Sequence, residues 1–239
     1  MNIVSKTAWV IVLSVPLLGV PRLAGMAADT LNYSAIDPDG AFAWISVHHI
    51  IQALIFLIIM LIITKFTSIR FGFGWGDWRK GIRWVGIFSL FFVSYVVVSI
   101  IIVLMAGTFQ AFPYPLETRN IVGQLGFQLM LSGPSEELIF RAFAITMLTL
   151  LIKGRFRDGP LSHACIIAAI IFSLAHVSFT VTPFSVSYNG FQLLYAFGLG
   201  LAYGACYEQT NSVYYPMLMH SISNVVAVGV SVGAGFWLS

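Results

Sequence analysis

Three ionisable residues fall within six positions of one long apolar run. Ser135-Glu136-Glu137-Leu138-Ile139-Phe140-Arg141 lies inside the hydrophobic stretch 121–152. A charge at bilayer depth costs several kcal/mol or more, so ionisable residues there mark function by default. On a helix Glu137 and Arg141 are four apart, share a face and can neutralise each other. Glu136 is rotated about 100° from Glu137, which leaves it free to point into a cavity. One carboxylate reads as structural and its neighbour as available for chemistry. Two other apolar runs carry polar residues at the same spacing: Phe172 and His176, then His220 and Asn224. Together the three runs hold the parts of a hydrolytic site: a base for water, an orienting His and donors for an oxyanion. His48 and His49 read as interhelical hydrogen-bond partners or residues near the outer interface, and His163 as a solvated helix start.

The elements that position these residues follow from composition. The chain has 239 residues, 59% hydrophobic and only 9% charged, with a mean hydropathy of +0.91. Soluble domains carry about 25% charged residues. This is an all-α, polytopic transmembrane helix bundle forming a single integral-membrane domain, 1–239. A net charge of +3 is too small to argue for nucleic acid, and the expected partners are membrane lipid and hydrophobic peptide. Cys165 and Cys206 sit far apart in apolar runs and read as free and buried. The alternating glycines of 70–79 are no phosphate loop, because no strand precedes them and no Gly-Lys-Ser/Thr follows; the segment reads as an interfacial loop.

A spanning helix needs about 20 apolar residues. Seven spans are expected, at 7–27, 42–64, 84–106, 121–151, 162–182, 190–208 and 213–236, the first an uncleaved helix rather than a signal peptide. Lys65, Arg70, Arg79, Lys80 and Arg83 in one loop and Lys153, Arg155 and Arg157 in another place both loops in the cytoplasm. Asp29, Asp37 and Asp39 against Arg22 place 21–41 outside. The N-terminus is then cytoplasmic and the C-terminus outside. The fourth span is too long for one straight crossing, at about 46 Å of helix against a core of about 30 Å. Gly133-Pro134 is expected to break it as a kink or a restart, with Ser132 as the N-cap of the second half.

Glu136-Glu137-x-x-x-Arg141, Phe172-x-x-x-His176 and His220-x-x-x-Asn224 resemble, in order and on three separate helices, the motifs of the CAAX prenyl protease and bacteriocin-processing family (Abi, type II CAAX prenyl endopeptidase-like). The resemblance covers about 120–230; the helices of 1–106 match only as generic membrane helices. It implies an intramembrane endopeptidase of seven to eight helices with a central polar cavity open toward the cytosol. It also implies roles: Glu136 as the base that activates water, His176 holding that water, His220 and Asn224 binding the oxyanion, Glu137 and Arg141 supporting, and Phe172 shaping the pocket. Glu136, His176 and His220 could instead supply a zinc site with one open position. There is no His-Glu-x-x-His, and a metal-free glutamate mechanism with no cofactor is the preferred reading. Two other functions compete: a bacteriocin self-immunity or binding protein without turnover, and a proton-coupled transporter, which would show an inverted repeat that the sequence lacks. The compact chain suggests a prokaryotic plasma-membrane protein acting on a membrane-anchored or hydrophobic peptide.

Overall fold

A backbone in lipid must satisfy its hydrogen bonds within its own segment, so long apolar stretches become helices. In the computed structural model, which describes residues 3–108, 112–181 and 183–238, these are α1 (Ile3–Ala28), α2 (Ala43–Phe66), α3 (Trp78–Met105) and α9 (Tyr214–Leu238). All four are long and apolar enough to cross a membrane. The less apolar α8 (Gly190–Thr210) packs against α9 and α7 (His163–Leu174). The all-α bundle expected from composition is what forms. Cys165 and Cys206 are buried and free.

The fourth span does not stop and restart at Gly133. It is helical from 118 to 149, as α4 (Thr118–Phe127), α5 (Gly133–Glu137) and α6 (Thr146–Thr149) joined by π-helical turns at Gln128–Ser132 and Leu138–Ile145. Ser132 has helical dihedrals, φ −57° and ψ −67°, and its side chain caps nothing. The missing N–H of Pro134 is absorbed by a neighbour. In the i→i−5 register of a π turn its partner would be the Leu129 carbonyl, and that oxygen accepts the Ser221 hydroxyl of α9 at 2.8 Å. Gly133 permits the approach: a Cβ there would lie 2.9 Å from Ser221 N and 3.1 Å from the His220 Cβ. Widened turns interrupt helices frequently at functional sites, and these two flank Glu136 and Glu137.

The fifth span is shorter than expected. It ends at Leu174, and an antiparallel hairpin of β1 (Ser178–Val181) and β2 (Phe184–Ser187) follows. The residues alternate polar with aromatic or β-branched side chains on both sides of Pro183, a period-two pattern that favours strands over a helix. Thr182, the last residue assigned to that span, lies outside the described residues.

Cross-contacts define the two ends of the bundle. At one, Trp9 Nε1 donates to Met147 O (3.1 Å), Asp77 N to Thr210 O (2.9 Å) and Val213 N to Gly72 O (3.0 Å). Gly76, at φ +52°, is required there because a side chain would strike the Thr210 carbonyl. At the other end Arg119 pairs with Asp39 at 2.9 Å, and His48 donates to Pro21 O at 2.8 Å. Asp37 organises the start of α2, accepting from the N–H groups of Ala41, Phe42 and Ala43 at 2.6–2.8 Å.

Candidate active site

Glu137 is the centre of a fully buried ionic cluster. Its Oε2 lies 2.9 Å from Arg141 Nε, and neither side chain is exposed beyond 1%. Four positions along one helix bring them together, as the spacing predicts. The contact is an ion pair by distance, but the N–H is not aimed along a hydrogen bond, and the Arg141 Nη atoms have no hydrogen-bond partner among the described residues. The guanidinium instead faces two rings, Phe172 at 4.6 Å and Tyr203 at 5.4 Å. Stacking of this kind supplies part of what hydrogen bonds would.

The other oxygen of Glu137 reaches across to α9. His220 Nδ1 donates to Glu137 Oε1 at 2.8 Å. A carboxylate on Nδ1 fixes the tautomer and the ring plane. The ring also stacks on Tyr203, with centroids 5.0 Å apart and planes at 22°. So held, His220 turns its Nε2 toward Glu136, 4.0 Å from Oε2.

Glu136 itself is not solitary. Its Oε1 accepts from His49 Nε2 of α2 at 3.2 Å. His49 Nδ1 faces the Ile45 carbonyl at 2.9 Å. Both ring nitrogens therefore face acceptors. The Glu136 side chain is 20% exposed, against 0% for Glu137. The buried carboxylate and the accessible one are thus the two that the spacing separated.

His176 lies just past the end of α7, where Nδ1 donates to Phe172 O at 3.0 Å, leaving Nε2 as its free nitrogen. The Phe172 ring stands edge-on between the two imidazoles, 5.1 Å from His176 and 6.2 Å from His220. Asn224 Nδ2 donates to Ser132 Oγ at 3.0 Å, which ties α9 to the first π turn. Gln52 Nε2, three residues beyond His49, donates to Ser135 Oγ at 3.2 Å. The structure therefore gathers Glu136, Glu137, Arg141, Phe172, His176 and His220 around one locus, with Asn224 one helical turn from His220. It adds His49, which the sequence suggests only as an interhelical partner or a residue near the outer interface. Among the described residues no three His, Cys, Asp or Glu side chains are grouped closely enough to hold a metal ion as they stand.

Residues 118–226 match the family model described as Type II CAAX prenyl endopeptidase Rce1-like. This stretch, just under half of the chain, is similar to that family. It contains all seven motif residues and nearly coincides with the 120–230 resemblance; it excludes α1, α2 and α3, and so excludes His49. The match supports an intramembrane protease acting on peptide in a lipid environment. No curated protein and no solved structure matched the chain.

Proposed function

We propose that the chain is an endopeptidase in which Glu136 activates a water molecule against a peptide bond of a membrane-associated substrate. The observation that carries this is the accessible Glu136 carboxylate held between two imidazoles, beside a second carboxylate that is fully buried and occupied. The 4.0 Å from Glu136 Oε2 to His220 Nε2 is too long for a direct hydrogen bond. It is a separation that one water, about 2.8 Å from each atom, spans.

In the proposed reaction Glu136 takes a proton from that water as its oxygen bonds to the scissile carbonyl carbon. The carbonyl electron pair moves to oxygen. With Glu137 on its Nδ1 and Glu136 beside its Nε2, His220 can carry both ring protons and donate Nε2–H to the oxyanion. Asn224 assists with the second hydrogen of Nδ2, since one is committed to Ser132. The proton held by Glu136 passes to the leaving nitrogen as the C–N bond breaks. His176 Nε2 helps hold the water. Arg141 acts at a distance, holding Glu137 in place through their ion pair and so keeping His220 aligned.

The test is a comparison of membrane peptides and membrane-protein fragments from cells carrying wild type or Glu136→Gln at matched protein level. Fragments present only with wild type are expected. An identical fragment set from the Gln variant would refute the assignment.

A further inference from the structure

The loop between α2 and α3 commits its carbonyls to the fold and keeps its N–H groups. It reads Arg70-Phe71-Gly72-Phe73-Gly74-Trp75-Gly76. Gly72 O accepts from Val213 N at 3.0 Å, Phe73 O from Tyr214 Oη at 3.3 Å and Trp75 O from Tyr215 Oη at 2.9 Å. These bonds fasten the loop to the start of α9. Among the described residues, no N–H from Phe71 to Gly76 donates to a protein acceptor. Phe71 is only 3% exposed, and backbone N–H groups away from water are nearly always paired. Gly72 and Gly76 hold positive φ, +72° and +52°. Successive N–H groups in turns of this kind form anion-binding concavities.

The loop edges a cavity of about 760 Å³, within the size range of small-ligand sites. Phe71, Phe73 and Ile145 give it apolar walls, and Arg70 and Arg155 give it two cations. The other polar side chains there are largely occupied. The Thr146 and Tyr207 hydroxyls bond each other at 2.8 Å. Glu208, the carboxylate in the lining, accepts from Ser162 N at 3.3 Å and from the Ser162 hydroxyl, and faces Arg155 at 3.9 Å. Arg155 commits Nη1 to the Pro160 carbonyl at 2.6 Å; its Nη2 and Nε make no bond among the described residues. Arg70 makes no hydrogen bond or ion pair among them at all. What stays open is therefore positive: one guanidinium, most of a second, and the row of N–H groups.

We propose that this cavity binds an anionic amphiphile, its phosphate on Arg70, Arg155 and the N–H groups of 71–76 and its apolar part against Phe71, Phe73 and Ile145. Guanidinium forks and backbone N–H groups are the donors that phosphate takes. Two observations favour an amphiphile over a soluble anion. The walls are apolar, and the neighbouring Trp75 and Trp78 are 71% and 56% exposed, which suits the headgroup level where tryptophan gathers. The lining holds none of Glu136, Glu137, Arg141, Phe172, His176, His220 and Asn224. This is a second site, and it stands whether or not the chain is a protease.

Native mass spectrometry of the full chain in a neutral maltoside detergent tests this, with phosphatidylglycerol, phosphatidylcholine of the same acyl chains, or inorganic phosphate added. Phosphatidylglycerol is expected to bind saturably, at least about 10-fold more tightly than phosphatidylcholine or phosphate. Arg70→Gln, which breaks no contact of the fold, should weaken it about 10- to 100-fold, the effect of losing a charge-assisted hydrogen bond. Arg79→Gln removes a charge from the same segment but outside the cavity lining, and should leave the affinity within about 2-fold of wild type. Phosphatidylcholine that binds as tightly as phosphatidylglycerol overturns the proposal, because the bound lipid is then not chosen by its charge. Equal losses in the two variants also overturn it, since the attraction then belongs to the whole basic segment. Inorganic phosphate that binds as tightly as the lipid overturns the amphiphile as the ligand.

Discussion

Gly133→Ala probes the joint on which the site depends, because this residue sits where the fourth span touches α9. An added Cβ would lie 2.9 Å from both Ser221 N and Ser221 Oγ and 3.1 Å from the His220 Cβ. Ordinary contact needs about 3.5–4.0 Å, so α9 must retreat by roughly 0.5–1 Å. One of the opposing atoms is helix backbone, which cannot rotate aside. Overpacking costs about 1–3 kcal/mol, and replacing a helical glycine by alanine returns about 1 kcal/mol. With backbone opposed, the upper part of the range applies, for a net loss of about 1–2 kcal/mol. Chains of this size lose about 2–4 °C in Tm per kcal/mol. The same retreat carries His220 away from Glu136, and displacement by 1 Å can cost about 100-fold in rate. Gly126→Ala is the control, since a Cβ there meets nothing within 4 Å. Thermal unfolding in detergent, followed by tryptophan fluorescence, should place Gly133→Ala roughly 2–8 °C below wild type and Gly126→Ala at or above it. Cleavage should fall at least about 10-fold in the first variant only. If Gly133→Ala matches wild type in both measurements, the close packing of α9 on α5 is not what positions His220.

Arg141→Ala strands the fully buried Glu137 without its partner, a loss of about 3–5 kcal/mol, so membrane accumulation should collapse; normal abundance would mean that Glu137 is stabilised by other groups. His49→Gln removes a charge-assisted hydrogen bond from Glu136, worth about 1.5–3 kcal/mol. If the bond matters in the transition state, cleavage should drop about 10- to 100-fold while abundance is kept, as immunoblot and fragment yield would show. Asp37 gives a pH test outside the spans. Burial alone would raise its carboxyl, but three backbone N–H donors and Arg119 hold it below the usual value. A lowered folded-state value stabilises the native state fully above the unfolded value of about 3.9 and is lost as pH falls through the folded one. Wild type should therefore lose stability relative to Asp37→Asn on acidification below about pH 4, and parallel melting curves across that range would contradict it.

The fourth span shows what the sequence made legible and what it hid. Residues on one helix have fixed relative positions, so the Glu137–Arg141 pair and the separation of Glu136 from it could be read from spacing alone. Partners on different helices have no such constraint. His49 could be read as an interhelical partner or an interface residue, but nothing in α2 states which span it meets. A signal did exist in His49 and Gln52, three apart and sharing a face, which both reach the 135–136 corner. The π turns were invisible, since a proline in an apolar run is compatible with a break or with a widened helix. Ser221, 87 positions later, decides between them by satisfying Leu129. The hairpin carried a signal in its alternation, but its residues are apolar enough on average that 178–182 read as the end of the fifth span.

The most direct measurement is turnover by purified wild type and Glu136→Gln on a peptide identified from the fragment comparison, with Tm recorded for both. The expected result is a loss of at least about 1,000-fold in kcat at unchanged Tm, in keeping with removal of an essential acid–base group. A Gln variant that folds equally well and still cleaves within about 10-fold of wild type would contradict the assignment of Glu136 as the base.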